Sequence, residues 1–162
     1  MYALSEEPDA RAMLVAEVRR FARTHVDAAA SERAGRIPRE VLSGLAELGL
    51  FGLALPIEFG GAGLSLTDAC AVIEELARWD RSVATCVGLH TGLGTRALVT
   101  AARADVAREW LPRLATGEIL GAFAATEACA GSDLMAMRTT ARFEGDTIVL
   151  DGEKSYVTNG GL

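Results

Sequence analysis

Two short segments in the second half of the chain carry side chains and backbone that could bind a ligand. Residues 126–133 form a polar loop rich in small residues, and residues 151–160 contain three further hydroxyl groups. Hydroxyls and exposed backbone amides donate hydrogen bonds to polar ligand atoms. The same residue types are also common in turns, helix caps and strands. Composition alone therefore leaves both interpretations open for Thr126, Ser132, Tyr156 and Thr158.

Histidines and cysteines serve in many catalytic and metal sites, but those of this sequence show no pattern that predicts such a site. Cys70, Cys86 and Cys129 form no CxxC pair and no cluster with histidine, so we expect neither a disulfide framework nor a metal site. Reduced thiols of this kind favour a cytoplasmic location. His90 lies in an apolar stretch and is expected to be a core histidine with satisfied hydrogen bonds. Glu127 is expected to be structural.

The elements that would position these groups change in character near residue 118. In the first half, apolar residues recur at helical spacing, which predicts helices from Pro8, from Pro38, after Ser65 or Thr67, and over Val106–Leu114. The stretch Ser82–Ala102 is almost entirely apolar, and we expect one helix that is buried on most sides. The inward side chains predicted for the helix after Ser65 are Leu66, Ala69, Cys70, Ile73 and Leu76.

The second half has the pattern of strands. Ile119–Ala125 is a short apolar run that is typical of a buried strand. Thr139–Phe143 and Thr147–Leu150 flank a Gly-containing turn and predict a β-hairpin. Residues Ser155–Thr158 predict a last strand. A sheet of so few strands would leave an open edge and an uncovered face.

These patterns predict an α+β fold, with an all-helical domain in residues 1–117 and a partial β domain in residues 118–162. Half of the 162 residues are hydrophobic, which is enough for a packed core. The net charge is −6 and the basic residues are scattered, so nucleic-acid binding is not expected. No stretch is long and apolar enough to span a membrane, and Met1–Glu7 lack the pattern of a signal peptide.

Four segments together resemble the acyl-CoA dehydrogenase family of flavoproteins. Ala122–Asp133 is similar to a strand followed by Thr-Glu-Pro, two variable residues and Gly-Ser-Asp, with Ala128 in place of the proline. Asp151–Gly160 is similar to a block that reads Asn/Asp-Gly-x-Lys-x-Trp/Tyr-Ile/Val-Thr-Asn-Gly. The other two matches are a Gly-rich loop with its following helix, and a Leu-Pro-x-Leu-Ala-x-Gly segment, at Glu58–Arg78 and Trp110–Glu118.

The resemblance implies a fold in three parts: an N-terminal helical domain, a middle β domain and a C-terminal four-helix bundle. It implies FAD as cofactor and acyl-CoA or another acyl-carrier thioester as substrate, whose α,β-dehydrogenation delivers hydride to flavin N5. It also implies which residues contact the flavin. These are Phe123, Ala125 and Thr126 along the ring, Gly131 and Ser132 at the phosphates, Tyr156 on the ring face and Thr158 near N5.

In the family, the glutamate that removes the α-proton lies in the C-terminal helical domain. We therefore expect the four-helix domain and the catalytic base to be absent from this chain, and the isolated chain to be inactive. Four interpretations stay open: the N-terminal part of an acyl-CoA dehydrogenase, a half-subunit of a split hetero-oligomeric dehydrogenase, a flavin-dependent monooxygenase of the same fold, and a non-catalytic helical binding module. We also expect the protein to form homo- or hetero-oligomers.

Overall fold

The computed structural model describes residues 8–162, so the expectation for Met1–Glu7 lies outside the described residues. The fold class is confirmed, because a helical part is followed by a two-stranded antiparallel sheet. None of the described helices is long and apolar enough to cross a membrane. The helices are α1 (Pro8–His25), α2 (Ala28–Ala34), α3 (Arg39–Glu47), α4 (Leu66–Ala77), α5 (Arg81–Leu89), α6 (Thr95–Ala101) and α7 (Ala104–Ala115), and the strands are β1 (Thr140–Glu144) and β2 (Thr147–Asp151).

Helix ends follow the capping residues of the sequence. Ser65 begins α4 because its hydroxyl accepts a hydrogen bond from the Asp68 N–H, which satisfies one of the unpaired donors of the first turn. Asp80 does the same for α5. Pro38 precedes α3 as predicted, and Gly49 follows it with φ of 70°, a left-handed conformation in which glycine carries no steric penalty.

The main core lies between α1, α3, α4 and α5. Its largest fully buried side chains include Leu45, Leu50, Phe51 and Leu76. A second cluster joins Leu55 to the inner face of α7. The core therefore belongs to the helical part, where helical periodicity supplies the apolar faces.

The predicted buried face of α4 is partly wrong. Leu66 and Cys70 are exposed, whereas Val72 and Glu75 are buried together with Ala69 and Leu76. From the sequence, Glu74 and Glu75 are expected to form either a solvated helix face or a packing ion pair, since a charged residue is seldom buried alone. In the structure Arg19 from α1 pairs with both carboxylate oxygens of Glu75, each at 2.9 Å. That ion pair allows the helix to turn a carboxylate toward the core.

The single helix predicted for residues 82–102 is also wrong. A π-helical turn at His90–Gly94 separates α5 from α6, and Gly92 has non-helical angles of φ −92° and ψ −106°. The break lets two backbones touch: a Cβ on Gly94 would lie 2.9 Å from the carbonyl carbon of Gly121. Glycine is therefore required at the contact, which lies at the end of the interrupted turn.

The β-hairpin agrees with the prediction to within one residue at each end. Its register pairs Thr140 with Asp151 and Glu144 with Thr147, and Phe143 and Leu150 are 81% and 71% exposed. An uncovered apolar face was predicted and is present.

The other two predicted strands are absent from the described residues. Ile119–Ala125 and Ser155–Thr158 make no strand ladder, because the only strands in that part of the chain, β1 and β2, pair with each other. A β-strand exists only where a neighbour accepts its hydrogen bonds. The predicted domain boundary between residues 117 and 118 stays a prediction.

Candidate functional site

The two ligand-binding segments predicted from the sequence meet through their backbones. The N–H of Ser155 donates to the carbonyl oxygen of Thr126 at 2.8 Å. One residue earlier on each side, the Nζ of Lys154 donates to the carbonyl oxygen of Ala125 at 3.1 Å. Two segments far apart in sequence are therefore joined by hydrogen bonds at Ala125 and Thr126.

A buried carboxylate lies directly behind this contact. Glu127 accepts hydrogen bonds from the backbone N–H groups of Arg138 and Thr139 at 2.7 and 2.9 Å, and from Lys154 Nζ at 2.9 Å. The Thr139 hydroxyl donates to it as well. These donors, first the Thr139 hydroxyl and then Lys154, hold the pKa of Glu127 well below its usual range. Glu127 is thus a permanently charged structural residue, as expected, and both of its carboxylate oxygens accept hydrogen bonds.

The side-chain hydroxyls of Thr126, Ser132 and Thr158, which the sequence predicts to contact the ligand, have no structural role of this kind. Within residues 8–162, neither Thr126, Ser132 nor Thr158 forms a side-chain hydrogen bond to another residue. The cap at the end of the loop is made by Asp133, whose carboxylate accepts from the Met135 N–H. A capping role therefore does not explain Thr126 or Ser132. Space is also open at Gly131, where an added Cβ would meet no atom within 4 Å.

Both predicted aromatic contacts lie at the surface. Phe123 is 43% exposed and Tyr156 is 94% exposed. Tyr156 also has φ of 57°, which is uncommon for a bulky residue and costs energy unless the surroundings enforce it. The two residues before it, Lys154 and Ser155, are held by hydrogen bonds to Ala125 and Thr126. The result is a large aromatic ring presented outward beside the Thr126 contact.

The helical part holds this surface in place through His90 and Asn159. The fully buried imidazole of His90 donates from Nε2 to the Leu114 carbonyl at 3.0 Å and accepts at Nδ1 from the Gly121 N–H at 2.8 Å. Burial lowers the pKa of His90 to about 4, so the ring is neutral with its proton on Nε2. The expected core histidine is confirmed.

Asn159 makes the second anchor. Its Nδ2 group donates to the carbonyl oxygens of Cys86 in α5 and of Gly121, both at 3.1 Å. Asn159 has φ of 65°, a region that asparagine tolerates better than most residues. Thr158, its neighbour, lines a cavity of about 390 Å³ with residues of α5.

Comparison with known proteins assigns the family. The model of the N-terminal domain of acyl-CoA dehydrogenases matches residues 8–118. The chain belongs to the acyl-CoA dehydrogenase family. A Bacillus subtilis acyl-CoA dehydrogenase is 34% identical over 146 residues, which are 89% of this chain and 38% of the relative. The chain thus spans well under half the length of that protein.

Solved structures of acyl-CoA dehydrogenases share the fold. The enzyme from Geobacillus kaustophilus superposes with a TM-score of 0.89 at 29% identity, covering 96% of this chain and 41% of its own. An acyl-CoA dehydrogenase from Bacillus anthracis, solved in complex with FAD, gives a TM-score of 0.83 at 30% identity and covers 98% of this chain and 28% of its own. The similarity extends through both the helical part and the hairpin.

For this acyl-CoA dehydrogenase chain, sequence reasoning missed Lys154 and Asn159. Both fall within the recognised block 151–160, but neither was given a role. One signal was available for Lys154: it is the single lysine in the sequence, whose other basic residues are arginines. A compact ammonium group with three donors fits a confined site that a planar guanidinium does not. Asn159 carried no comparable signal, since its partners are backbone carbonyls distant in sequence.

Proposed function

We propose that this chain provides one side of an FAD site in an acyl-CoA dehydrogenase that oxidises an acyl thioester between its α and β carbons. Coenzyme A or an acyl-carrier protein would carry the acyl group. The contact between Thr126 and Ser155 is the observation on which the proposal depends, because it joins the two candidate flavin segments by a hydrogen bond. The membership of the family and the FAD complex of a structural relative support the same cofactor.

The residues present suit a flavin. When bound, FAD would accept the hydride from the β carbon, and hydroxyl donors beside its polar edge would stabilise the charge that develops there. Thr126 and Thr158 provide uncommitted hydroxyls, and Phe123 and Tyr156 provide exposed aromatic surface. Gly131 and Ser132 leave the backbone accessible, which suits an anionic phosphate.

Proton removal requires a carboxylate that is free to accept a proton. Glu127 is the carboxylate next to Thr126, and its hydrogen bonds and low pKa exclude it from that role. We therefore propose that Glu127 is not the base and that, as the family resemblance implies, the base lies in a C-terminal helical domain. We further propose that the exposed apolar side chains Phe143 and Leu150 are covered when that domain, in the same or another subunit, is present. A cytoplasmic location stays a prediction.

Titration of FAD into the purified chain, with and without the C-terminal region of a matching relative, tests the proposal. We expect weak binding alone and strong binding with the added region, since good sites bury about 70–90% of a ligand. Thr126→Ala and Thr158→Val should each weaken binding by about 2- to 10-fold, whereas Thr147→Ala in the exposed hairpin should not. Turnover of acyl-CoA with an artificial electron acceptor should require the added region.

Equal affinity with and without the C-terminal region would show that the site is complete in this chain. Unchanged affinity in both threonine variants would place the flavin elsewhere. Either result contradicts the proposal.

A further inference from the structure

The buried pair formed by Glu127 and Lys154 joins three segments of the chain. The Glu127 carboxylate fixes the segment at Arg138–Thr139 through two backbone N–H groups. Lys154 fixes the backbone at Ala125. The side chains are only 5% and 20% exposed, and their charged atoms lie 2.9 Å apart. Breaking such a pair by removing one partner leaves a buried charge without compensation.

The location of the Glu127–Lys154 ion pair, more than its strength, connects it with the candidate flavin site. Ala125 and Glu127 flank Thr126, and Lys154 directly precedes Ser155, which donates to Thr126. The ion pair therefore lies immediately behind the one backbone hydrogen bond that joins the two candidate flavin segments. No other hydrogen bond among the described residues connects the backbone of residues 125–127 with that of residues 153–158.

We propose that Glu127 and Lys154 are positioning residues for the flavin: their ion pair sets the register between Thr126 and Ser155, and so fixes the Thr126 hydroxyl relative to the segment that carries Thr158. This inference rests on the proposed FAD site. It adds two residues that touch no ligand atom themselves and act through the backbone contact in front of them.

Three variants test the inference in the protein assembled with the C-terminal region described above. Glu127→Gln keeps the shape of the side chain and removes its charge, and Lys154→Met keeps the length and removes the ammonium. Arg142→Gln is the matched control, since it breaks an ion pair of the same length, 2.9 Å, on the exposed face of β1.

Hydrogen exchange at the Ser155 amide measures the register without any flavin. We expect exchange to become faster by on the order of tenfold in Glu127→Gln and Lys154→Met, with wild-type protection retained in the core of α4 and α5. The control should behave as wild type. Lys154 is the single lysine of this chain, so its acylation rate, followed by mass spectrometry of the peptide that contains it, gives an independent measure, which should rise in Glu127→Gln.

FAD affinity then tests the link to function. Both pair variants should bind FAD on the order of tenfold more weakly than the control, with the same helical content. Unchanged Ser155 exchange and unchanged Lys154 reactivity would overturn the inference. Faster exchange with unchanged FAD affinity would overturn the positioning role and leave the pair purely structural. If wild type binds no FAD, the proposed function fails and the flavin role fails with it, while exchange alone decides whether the pair sets the register.

Discussion

His90 makes the stability of this protein depend on pH in a range where few other groups titrate. Its ring is fully buried, and Nδ1 accepts the Gly121 N–H, so protonation must break that hydrogen bond and place a charge in the core. The folded-state pKa is about 4, whereas an exposed histidine in the unfolded chain titrates near ~6.5. Between these values the unfolded state binds more protons, so the folded state loses stability as the pH falls.

The size of the effect follows from the two pKa values. Each pKa unit corresponds to about 1.4 kcal/mol, and lowering the pH from about 7.5 to about 5 should reduce the free energy of unfolding by about 2 kcal/mol. Carboxylates ordinarily titrate below this range, near ~4. Urea unfolding followed by circular dichroism at several pH values measures the loss.

His90→Gln should flatten this dependence. The variant should also be less stable at neutral pH by about 1–3 kcal/mol, because at least one of the Leu114 carbonyl and Gly121 N–H groups loses its partner. An NMR titration of wild type should show the His90 ring still neutral at about pH 5. A ring that protonates near pH 6.5 without loss of stability would refute the reasoning.

Two further substitutions, each with a matched control, compare buried with exposed positions. Glu75→Gln should lower the free energy of unfolding by about 1–3 kcal/mol, because the buried carboxylate holds Arg19 by two hydrogen bonds. Glu74→Gln, at an exposed ion pair, should change it by less than about 0.5 kcal/mol. Equal effects of the two substitutions in urea unfolding would argue against a buried role for Glu75. Gly94→Ala should cost about 1–3 kcal/mol because its Cβ would collide with the Gly121 backbone, and Gly161→Ala, where nothing lies within 4 Å, should be near neutral by thermal unfolding.

The helical part was predictable where local signals determine it. Ser65, Pro38 and Gly49 mark helix ends through interactions within a few residues, and the apolar stripes follow the helical period. The misassigned face of α4 and the break at Gly92 depend on partners distant in sequence, Arg19 and Gly121. Periodicity contains no information about such partners.

The candidate site was predictable only as a set of residues. Resemblance to the family indicated the hydroxyls of Thr126 and Thr158, and the structure brings their segments together. The residues that do the joining, Glu127, Lys154 and Asn159, act through backbone carbonyls and N–H groups. Because every residue has such groups, sequence spacing does not reveal which ones are used. The flavin contacts themselves stay a prediction.

The hydrogen bond from Asn159 to Gly121 closes the hairpin region into a loop whose two ends are in contact. The chain leaves the helical body at Gly121 and returns to it 38 positions later, where the Asn159 amide meets the Gly121 carbonyl at 3.1 Å. A loop whose ends already touch can change its length at small entropic cost, about 0.6 kcal/mol for each doubling. Insertions at the Gly145 turn should therefore be accepted without disturbing the helices, which makes that turn a suitable place to graft a reporter peptide.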